Sequence, residues 1–270
     1  MVTAKLTGKS LRLARLSRPG DGRYLIVPLD HSVSDGPIRD VSGFARLVED
    51  LVAGGADGLV VHKGRARMIP AHLLADCGLV IQLSASTAHA PDIDAKVLVG
   101  EVSEAVRLGA DAVSVHVNVG SDTEAEQLRD MGRVASECDR WGMPLLAMIY
   151  PRGPRVDDPG VPELISHAVN IAADLGADIV KTTMATPVER MAEVVDRSPL
   201  PLLVAGGPAS DHLAERAVAA MAVGCSGLAV GRGVFTSTTP RRVVAELSGI
   251  VHGPTFSPVF SLEPGLAGAP

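Results

Sequence analysis

A short phrase repeated along the chain constrains its fold more than any other feature. The phrase is Gly-Ala-Asp or a relative of it, followed at once by a β-rich run. It occurs as GGADGLVVHK (54–63), LGADAVSVHV (108–117), LGADIVKTTM (175–184) and, in degenerate form, VGCSGLAVGR (223–232). Each copy follows a segment of helical pattern, which a glycine of positive φ would end before a buried parallel strand begins. The phrase therefore predicts a βα repeat.

Four further apolar runs fill the intervals between the repeats. They are YLIVPLD (24–30), LVIQLS (79–84), PLLAMIY (144–150) and PLLVAGG (201–207). Eight strands alternating with helices over about 230 residues match the usual size of a (β/α)8 TIM barrel. A doubly wound open sheet is the alternative, but no G-x-G-x-x-G phrase opens a helix after the first strand, and even repetition favours closure. We predict an α/β protein with a single (β/α)8 barrel.

The two ends of the chain are expected to differ from the barrel. The predicted barrel domain spans residues 1–250 and begins with an amphipathic helix at 6–16. The segment 251–270 is rich in Gly and Pro and is expected to be an irregular tail. It contains Phe256 and Phe260, which are half of the four phenylalanines. Two interpretations remain open, a disordered tail and an arm that docks on a neighbouring subunit.

Composition excludes several classes of partner. The net charge of −6 provides no basic stripe, and four Phe, two Tyr and one Trp are too few for nucleic-acid stacking platforms. No apolar run reaches the roughly 18 residues of a membrane span. The cysteines Cys77, Cys138 and Cys225 lie far apart and form no C-x-x-C pattern, so they predict neither a disulfide framework nor a zinc ribbon. A cytoplasmic protein without nucleic-acid or membrane partners is expected.

The predicted strands end in polar and small residues, and the active site of a TIM barrel lies where its strands end. In chain order these residues are Asp30 and His31, His62 and Lys63, Gln82 and Ser84, His116 and Asn118, Tyr150 and Arg152, Lys181 to Thr183, Gly206 and Gly207, and Gly231 and Arg232. Side-chain alternation points Asp30, Tyr150 and Lys181 into the barrel mouth. Pro28 predicts a bulge or the end of the strand ladder near Asp30.

Lys181 occupies an unusual position within its repeat. The residues seven positions after the repeat glycine are His62, His116, Thr183 and Gly231. Lys181 comes only five positions after its glycine, so it lies one side-chain layer deeper. Burial disfavours the ammonium form, and a neutral lysine amine forms Schiff bases with carbonyl compounds. The alternative is a structural lysine paired with an inward carboxylate such as Asp30.

The last two predicted strands suggest a site for phosphate. They end in VAGGP (204–208) and AVGRG (229–233), where backbone N–H groups can approach an anion and Arg232 can add charge. The loops after these two strands are the usual phosphate seat of a TIM barrel. An imine-forming lysine beside such a seat predicts a phosphorylated ketone or aldehyde as substrate.

Three histidines offer a competing interpretation. His31, His62 and His116 lie near strand ends and could bind the divalent ion of a metal-dependent aldolase. They form no local metal-binding spacing, and a metal would leave Lys181 unexplained. We therefore expect no metal and no cofactor, and we expect these histidines to bind substrate hydroxyls or to line the mouth.

Several motifs together resemble a known family. They are IVPLDHSVSDGPI, VSVHVNVGSD, WGMPLLAMIYPRG, GADIVKT, VAGGP and AVGRGVF. Over residues 10–250 they resemble the class I aldolases of the archaeal-type fructose-bisphosphate aldolase superfamily. Within it, they are most similar to the 2-amino-3,7-dideoxy-D-threo-hept-6-ulosonate synthases and the 2-amino-4,5-dihydroxy-6-oxo-7-(phosphonooxy)heptanoate synthases. The resemblance implies a homo-oligomer, with a decamer as one such state.

The resemblance also implies roles for residues. Lys181 would form the Schiff base, Tyr150 would donate protons and Asp30 would accept them. The ligand-contacting residues would be His31, Ser34, Arg152, Gly206, Gly207, Gly231 and Arg232. The implied reaction joins L-aspartate 4-semialdehyde to a three-carbon ketone phosphate. That unit is dihydroxyacetone phosphate, on a route to aminohydroxybenzoate, or is transferred from 6-deoxy-5-ketofructose 1-phosphate, on a route to aromatic amino acids.

Two alternatives to this reaction remain. The first is a fructose-bisphosphate aldolase, or another sugar-phosphate aldolase or thiolase of the same superfamily. The second, from a different class, is a non-catalytic scaffold that binds phosphate.

Overall fold

The computed structural model describes residues 7–207 and 212–254 and contains a closed barrel of eight parallel strands. The strands, including a separate two-stranded sheet formed by β4 and β5, are β1 Tyr24–Pro28, β2 Gly58–Val61, β3 Gly78–Gln82, β4 Ser84–Ala85, β5 Val97–Leu98, β6 Ala112–Val119, β7 Leu145–Pro151, β8 Ile179–Thr182, β9 Leu202–Ala205 and β10 Gly227–Ala229. Around the barrel their order is β1, β10, β9, β8, β7, β6, β3 and β2. The predicted (β/α)8 barrel is confirmed, and the open sheet is wrong.

Helices connect the barrel strands and cover the outside of the barrel. They are α1 Gly8–Ala14, α2 His31–Ser34, α3 Val41–Ala53, α4 Lys63–Ala66, α5 Val102–Arg107, α6 Glu124–Trp141, α7 Pro162–Asp174, α8 Met191–Asp196, α9 Leu213–Ala222, α10 Arg232–Phe235 and α11 Pro240–Val251. Short 3-10 turns occur at Ala71–Leu74 and Val188–Arg190. Helices α3, α5, α7 and α9 directly precede the four repeat phrases, as the pattern predicts.

The repeat glycines reverse the chain between helix and strand. Gly55, Gly109, Gly176 and Gly224 have φ values of 91°, 75°, 94° and 92°. A side chain at this φ would be strained, because L residues rarely adopt the left-handed region. The glycine of the phrase is therefore required by the turn.

The aspartate of the phrase joins neighbouring strands at the N-terminal end of the barrel. Its carboxylate accepts the backbone N–H of a residue in the preceding barrel strand. The three pairs are Leu25 with Asp57 at 2.6 Å, Leu79 with Asp111 at 2.9 Å and Leu145 with Asp178 at 2.9 Å. In the degenerate repeat the Ser226 hydroxyl accepts the N–H of Leu202 at 3.3 Å. Each phrase thus satisfies a backbone donor in the first two residues of the preceding barrel strand.

The carboxylates of these three aspartates also contact basic side chains. Lys9 Nζ lies 3.2 Å from Asp178 Oδ2, and Arg15 Nε lies 2.6 Å from Asp111 Oδ1. His252 Nε2 lies 2.9 Å from Asp57 Oδ2. Lys9 and Arg15 lie in α1 or at its C-terminus, so the N-terminal helix is fixed beneath the barrel.

Two apolar layers form the core. The outer layer lies between the barrel and its helices, whereas the inner layer fills the barrel. The inner layer consists of Leu16, Tyr24, Ile26, Val60, Val80, Ala112, Leu146, Met148, Tyr150, Ile179, Leu203 and Ala229. Leu16 is 1% exposed and closes the N-terminal end, and its Cδ2 atom would lie 2.5 Å from a Cβ at Gly78. The barrel is therefore open only at the opposite end, where the strands finish.

The predicted ends of the chain are partly described. The expected helix at 6–16 is observed as α1, Gly8–Ala14, and residue 6 lies outside the described residues. Val251, which was assigned to the tail, is the last residue of α11. Residues 255–270, with Phe256 and Phe260, also lie outside the described part, so the tail and homo-oligomer stay predictions. Within the described ranges, no helix has the length and apolar character needed to cross a membrane.

Candidate active site

Lys181 lies on β8, inside the barrel. Ile179 belongs to the inner apolar layer and Val180 to the outer one, so alternation turns Lys181 inward with Ile179. Lys181 is 7% exposed. Across residues 7–207 and 212–254, no carboxylate oxygen lies within 4.0 Å of its Nζ atom. Lys181 and Asp30 therefore form no direct ion pair in the described residues, although the charge of Lys181 still acts on Asp30.

Asp30 follows the end of β1. The strand ladder ends at Pro28, as expected, and Asp30 is the first residue before the short helix α2. Its Oδ1 atom lies 3.3 Å from His31 Nδ1, in a buried contact that lacks hydrogen-bond alignment. Burial would raise the pKa of Asp30, but its contact with His31 and the nearby charges of His31, Lys181 and His62 lower it to about 2. Asp30 is therefore a carboxylate at neutral pH.

Gly231 allows the end of β10 to approach this pair closely. A Cβ atom at Gly231 would lie 2.7 Å from His31 Cε1 and 2.8 Å from the Pro28 carbonyl oxygen. Both distances are shorter than side-chain packing permits, so any larger residue would displace His31 or the end of β1. Gly231, which was predicted to contribute to a phosphate site, thus leaves the room that His31 occupies.

Tyr150 and His116 face each other near the top of the barrel. Their ring centroids are 5.0 Å apart, and the Arg152 guanidinium lies 5.1 Å from the centre of the Tyr150 ring. Tyr150 is 7% exposed. The three side chains therefore form one contiguous group, with a cation over the phenol ring.

His116 is held in one neutral tautomer. The Asn118 amide donates to the Asp94 carbonyl at 2.9 Å, so Asn118 Oδ1 accepts from His116 Nε2 at 2.9 Å. Burial, with the positive charges of Lys96 and Arg152, lowers the pKa of His116 to about 3. His116 Nδ1 therefore carries no proton and can accept a hydrogen bond.

His62 is also held in place by the backbone. Its Nδ1 atom donates to the Gln82 carbonyl at 3.1 Å, which leaves Nε2 as an acceptor in the neutral ring. Burial lowers the pKa of His62, although Asp30 opposes the shift. Both mouth-lining histidines are thus neutral acceptors suited to substrate hydroxyls.

One cavity of about 570 Å³ unites the predicted residues. It is lined by Asp30, His31, Ser34, His62, His116, Tyr150, Arg152, Lys181, Gly206, Gly207, Gly231 and Arg232. Gln82, Ser84 and Thr183 also line it. Lys63 does not, because its Nζ atom pairs with Glu104 at 2.8 Å outside the mouth. Thr182 is fully buried, and its hydroxyl has no partner among the described residues.

Sequence reasoning missed one wall of this cavity. Asp35, Ser86, Asp94 and Lys96 line it, although none ends a barrel strand. The last three lie in the long segment between β3 and α5, which contains the β4–β5 hairpin. The unusual length of this βα connection could have indicated a functional segment from the sequence, since long loops on a barrel are often functional.

The histidines do not form a metal centre in the described part of the chain. No group of three or more His, Cys, Asp or Glu side chains there is arranged to hold a metal ion.

Comparison with known proteins places the chain in a family. Residues 24–237 match the model of the DeoC/LacD family aldolases. The chain belongs to the DeoC/LacD aldolase family. The aldolase class predicted from the sequence motifs is therefore confirmed.

Two relatives are similar in sequence to this aldolase over most of their length. It is 48% identical over 248 residues to the 2-amino-4,5-dihydroxy-6-oxo-7-(phosphonooxy)heptanoate synthase of Streptomyces griseus, with 90% of each chain covered. It is 42% identical over 250 residues to a 2-amino-3,7-dideoxy-D-threo-hept-6-ulosonate synthase of Archaeoglobus fulgidus, with 92% of each chain covered.

A solved structure is also similar. It is an archaeal fructose-1,6-bisphosphate aldolase with its catalytic lysine covalently bound to the carbinolamine intermediate of the substrate. The TM-score is 0.80 at 26% identity, and the match covers 91% of this aldolase and 100% of that chain. The predicted resemblance to the archaeal-type superfamily is thus confirmed.

Proposed function

We propose that this aldolase joins L-aspartate 4-semialdehyde to a three-carbon ketone unit, taken from a ketone phosphate donor, through a Schiff base on Lys181. The observation that carries the proposal is a buried lysine that forms no ion pair with any described residue and lies in the same cavity as Asp30 and Tyr150. The names of the Streptomyces griseus and Archaeoglobus fulgidus relatives support the choice of reaction.

The first step is imine formation. The side-chain nitrogen of Lys181, once it has lost its proton, adds to the ketone carbonyl and gives a carbinolamine, in which the former carbonyl oxygen is a hydroxyl group. Tyr150 donates a proton to this hydroxyl, which leaves as water, and the iminium ion remains. The cationic nitrogen then withdraws electrons from the neighbouring carbon, so the formation of an enamine in the next step requires no metal.

Carbon–carbon bond formation follows. With dihydroxyacetone phosphate, Asp30, directly or through a water molecule, accepts a proton from the carbon next to the iminium and produces an enamine. With 6-deoxy-5-ketofructose 1-phosphate the iminium forms at the C5 ketone. Asp30 then accepts the proton of the C3 hydroxyl, the C3–C4 bond breaks, and the phosphate-bearing C1–C3 aldehyde leaves the enamine of the other three carbons on Lys181. Asp30 returns its proton to Tyr150 through water. The enamine carbon then bonds to the aldehyde carbon of the second substrate, and Tyr150 donates its proton to the aldehyde oxygen. Water hydrolyses the new iminium, returns a proton to Tyr150 and releases the product and the free amine of Lys181. With a pKa of about 2, Asp30 is a weak base. The iminium must therefore make the proton on the neighbouring carbon acidic enough for Asp30 to accept it.

The donor phosphate is assigned to the β9 and β10 side of the cavity. Gly206, Gly207 and Gly231 leave the backbone accessible there, and Arg232 provides a positive charge. Both donors, dihydroxyacetone phosphate and 6-deoxy-5-ketofructose 1-phosphate, carry a phosphate for this seat. Their product masses with aspartate semialdehyde differ, and an assay with each donor will identify the one that reacts.

Borohydride reduction tests the Schiff base. Dihydroxyacetone phosphate with borohydride should leave a stable adduct on Lys181, identified by peptide mass spectrometry. The matched control is Lys181→Met, which should acquire no adduct although Lys96 remains in the cavity. An adduct on another lysine, or none with either donor, would refute the mechanism.

The same preparation separates the alternatives. Activity should persist in a chelator; loss in EDTA that zinc restores would favour a metal-dependent aldolase. Cleavage of fructose 1,6-bisphosphate without reaction of aspartate semialdehyde would favour a sugar-phosphate aldolase. Phosphate binding without any borohydride adduct would identify a non-catalytic scaffold.

A further inference from the structure

A second cationic region lines the same cavity as the proposed phosphate seat but comes from other strands. It consists of Lys96, from the loop between β4 and β5, and Arg152, immediately after β7. Arg232 and the small residues of the phosphate seat follow β9 and β10 instead. In the strand order around the barrel, β8 lies between β7 and β9, so Lys181 stands between the two cationic regions.

The charges of Lys96 and Arg152 are not neutralised by ion pairs. Within residues 7–207 and 212–254, no carboxylate oxygen lies within 4.0 Å of either side-chain nitrogen group. Burial and the charge of Arg152 lower the pKa of Lys96, and their effect outweighs that of the negative charges of Asp94, Asp30 and Asp35. Two cations that repel each other in a partly buried wall are stabilised when an anion binds between them.

The loop that carries Lys96 is firmly positioned. The Asp94 carbonyl accepts hydrogen bonds from Asn118 Nδ2 at 2.9 Å and from Gln127 Nε2 at 2.8 Å. Both amide side chains are buried. Lys96 Nζ donates to the Ile93 carbonyl at 2.9 Å and to the Ser86 hydroxyl. An ammonium group has three donors, so one remains for a ligand in the cavity.

We propose that Lys96 and Arg152 bind the carboxylate of the acceptor aldehyde. This assignment rests on the proposed function, in which the acceptor is L-aspartate 4-semialdehyde. The donor phosphate and the acceptor carboxylate would then lie on opposite sides of Lys181, with the reacting carbons between them. Asp35 and Asp94 line the same cavity and provide negative charge for the acceptor ammonium group.

The test is a comparison of two acceptors. Aspartate semialdehyde and butanal have the same chain length, but only the first carries the carboxylate and the ammonium group. Replacing Lys96→Met removes the charge and retains most of the side-chain length. It should raise KM for aspartate semialdehyde roughly tenfold to hundredfold, as expected when a hydrogen bond to a charged group is lost. The KM for butanal should change little.

Two matched variants separate binding from loop structure. Ser86→Ala removes a loop contact of Lys96 but keeps the ammonium, so it should retain the preference for aspartate semialdehyde. Lys96→Arg should restore part of the preference that Lys96→Met loses. A Ser86→Ala effect equal to that of Lys96→Met, or an equal rise in KM for both aldehydes in Lys96→Met, would overturn the carboxylate seat.

The donor half-reaction distinguishes this proposal from the proposed function. Borohydride trapping of dihydroxyacetone phosphate or of the ketohexose phosphate should be as efficient in Lys96→Met as in the unsubstituted aldolase. Normal trapping with unchanged KM for aspartate semialdehyde would refute the carboxylate seat alone. No trapping in the unsubstituted aldolase would refute the Schiff-base function and the seat that rests on it.

Discussion

The two ends of the barrel use the same kinds of charged residue in opposite ways. At the N-terminal end, Asp57, Asp111 and Asp178 accept backbone N–H groups and also contact His252, Arg15 and Lys9. At the mouth, Lys96, Arg152 and Lys181 have no carboxylate within 4.0 Å in the described part of the chain. The aspartates at the N-terminal end have partners and hold the strands together, whereas the cations at the mouth have no ion-pair partner among the described residues and are available to a substrate.

Lys181→Met should give the largest effect at the mouth. Loss of the nucleophile should reduce aldol activity to background, because no other residue is assigned to form the imine. The free energy of unfolding should not fall, since methionine replaces a buried polar amine that has no carboxylate within 4.0 Å in the described part of the chain. Product mass assays and urea denaturation measure the two quantities. A less stable variant would mean that Lys181 supports the fold.

Asp111→Ala should give the reverse result at the N-terminal end. The substitution leaves the buried N–H of Leu79 without its acceptor and removes the contact with Arg15. We expect a loss of about 2–3 kcal/mol in the free energy of unfolding, with kcat of the folded protein unchanged.

Asp111→Asn is the matched control for the role of charge. Its amide oxygen can still accept the N–H of Leu79, so it should lose less stability than Asp111→Ala. A fall in kcat for either variant while the protein remains folded would contradict the separation between the two ends.

The repeat phrase was sufficient to predict the barrel, but it did not reveal what its aspartate does. The glycine, the helix before it and the strand after it are all local, so the sequence pattern contains them. The hydrogen-bond partner of Asp111 is Leu79, which lies 32 residues earlier in the chain. Such a contact exists only when neighbouring strands are in register, and no local pattern encodes it.

The same distinction explains what was found and missed at the mouth. His116 and Lys181 lie in strands whose alternate residues point into the barrel, an alternation visible in the sequence itself. Both side chains line the cavity. Lys96 reaches that cavity because Asn118 and Gln127 fix the distant carbonyl of Asp94. Its position therefore depends on tertiary contacts of a long loop, and the sequence offered only the length of that loop.

The smallest expected effect concerns the pH dependence of stability at the N-terminal end. The His252 side chain is 2% exposed and lies between Asp21 and Asp57. Burial and the charge of Arg18 lower the pKa of His252, but hydrogen bonds to Asp57 and Asp21 outweigh them and raise it above 6.5. The stabilisation is therefore complete below the unfolded pKa of 6.5 and is lost as pH rises through the higher folded pKa.

Urea denaturation between about pH 6 and pH 9 should detect this loss, because between the unfolded and the folded pKa the folded protein keeps an imidazole proton that the unfolded chain has released. In His252→Gln the same part of the pH dependence should disappear, while borohydride trapping at Lys181 stays unchanged because His252 lies at the opposite end of the barrel. If the variant retained the full decline in stability with rising pH, another group would be responsible. If trapping changed instead, the two ends of the barrel would be energetically coupled.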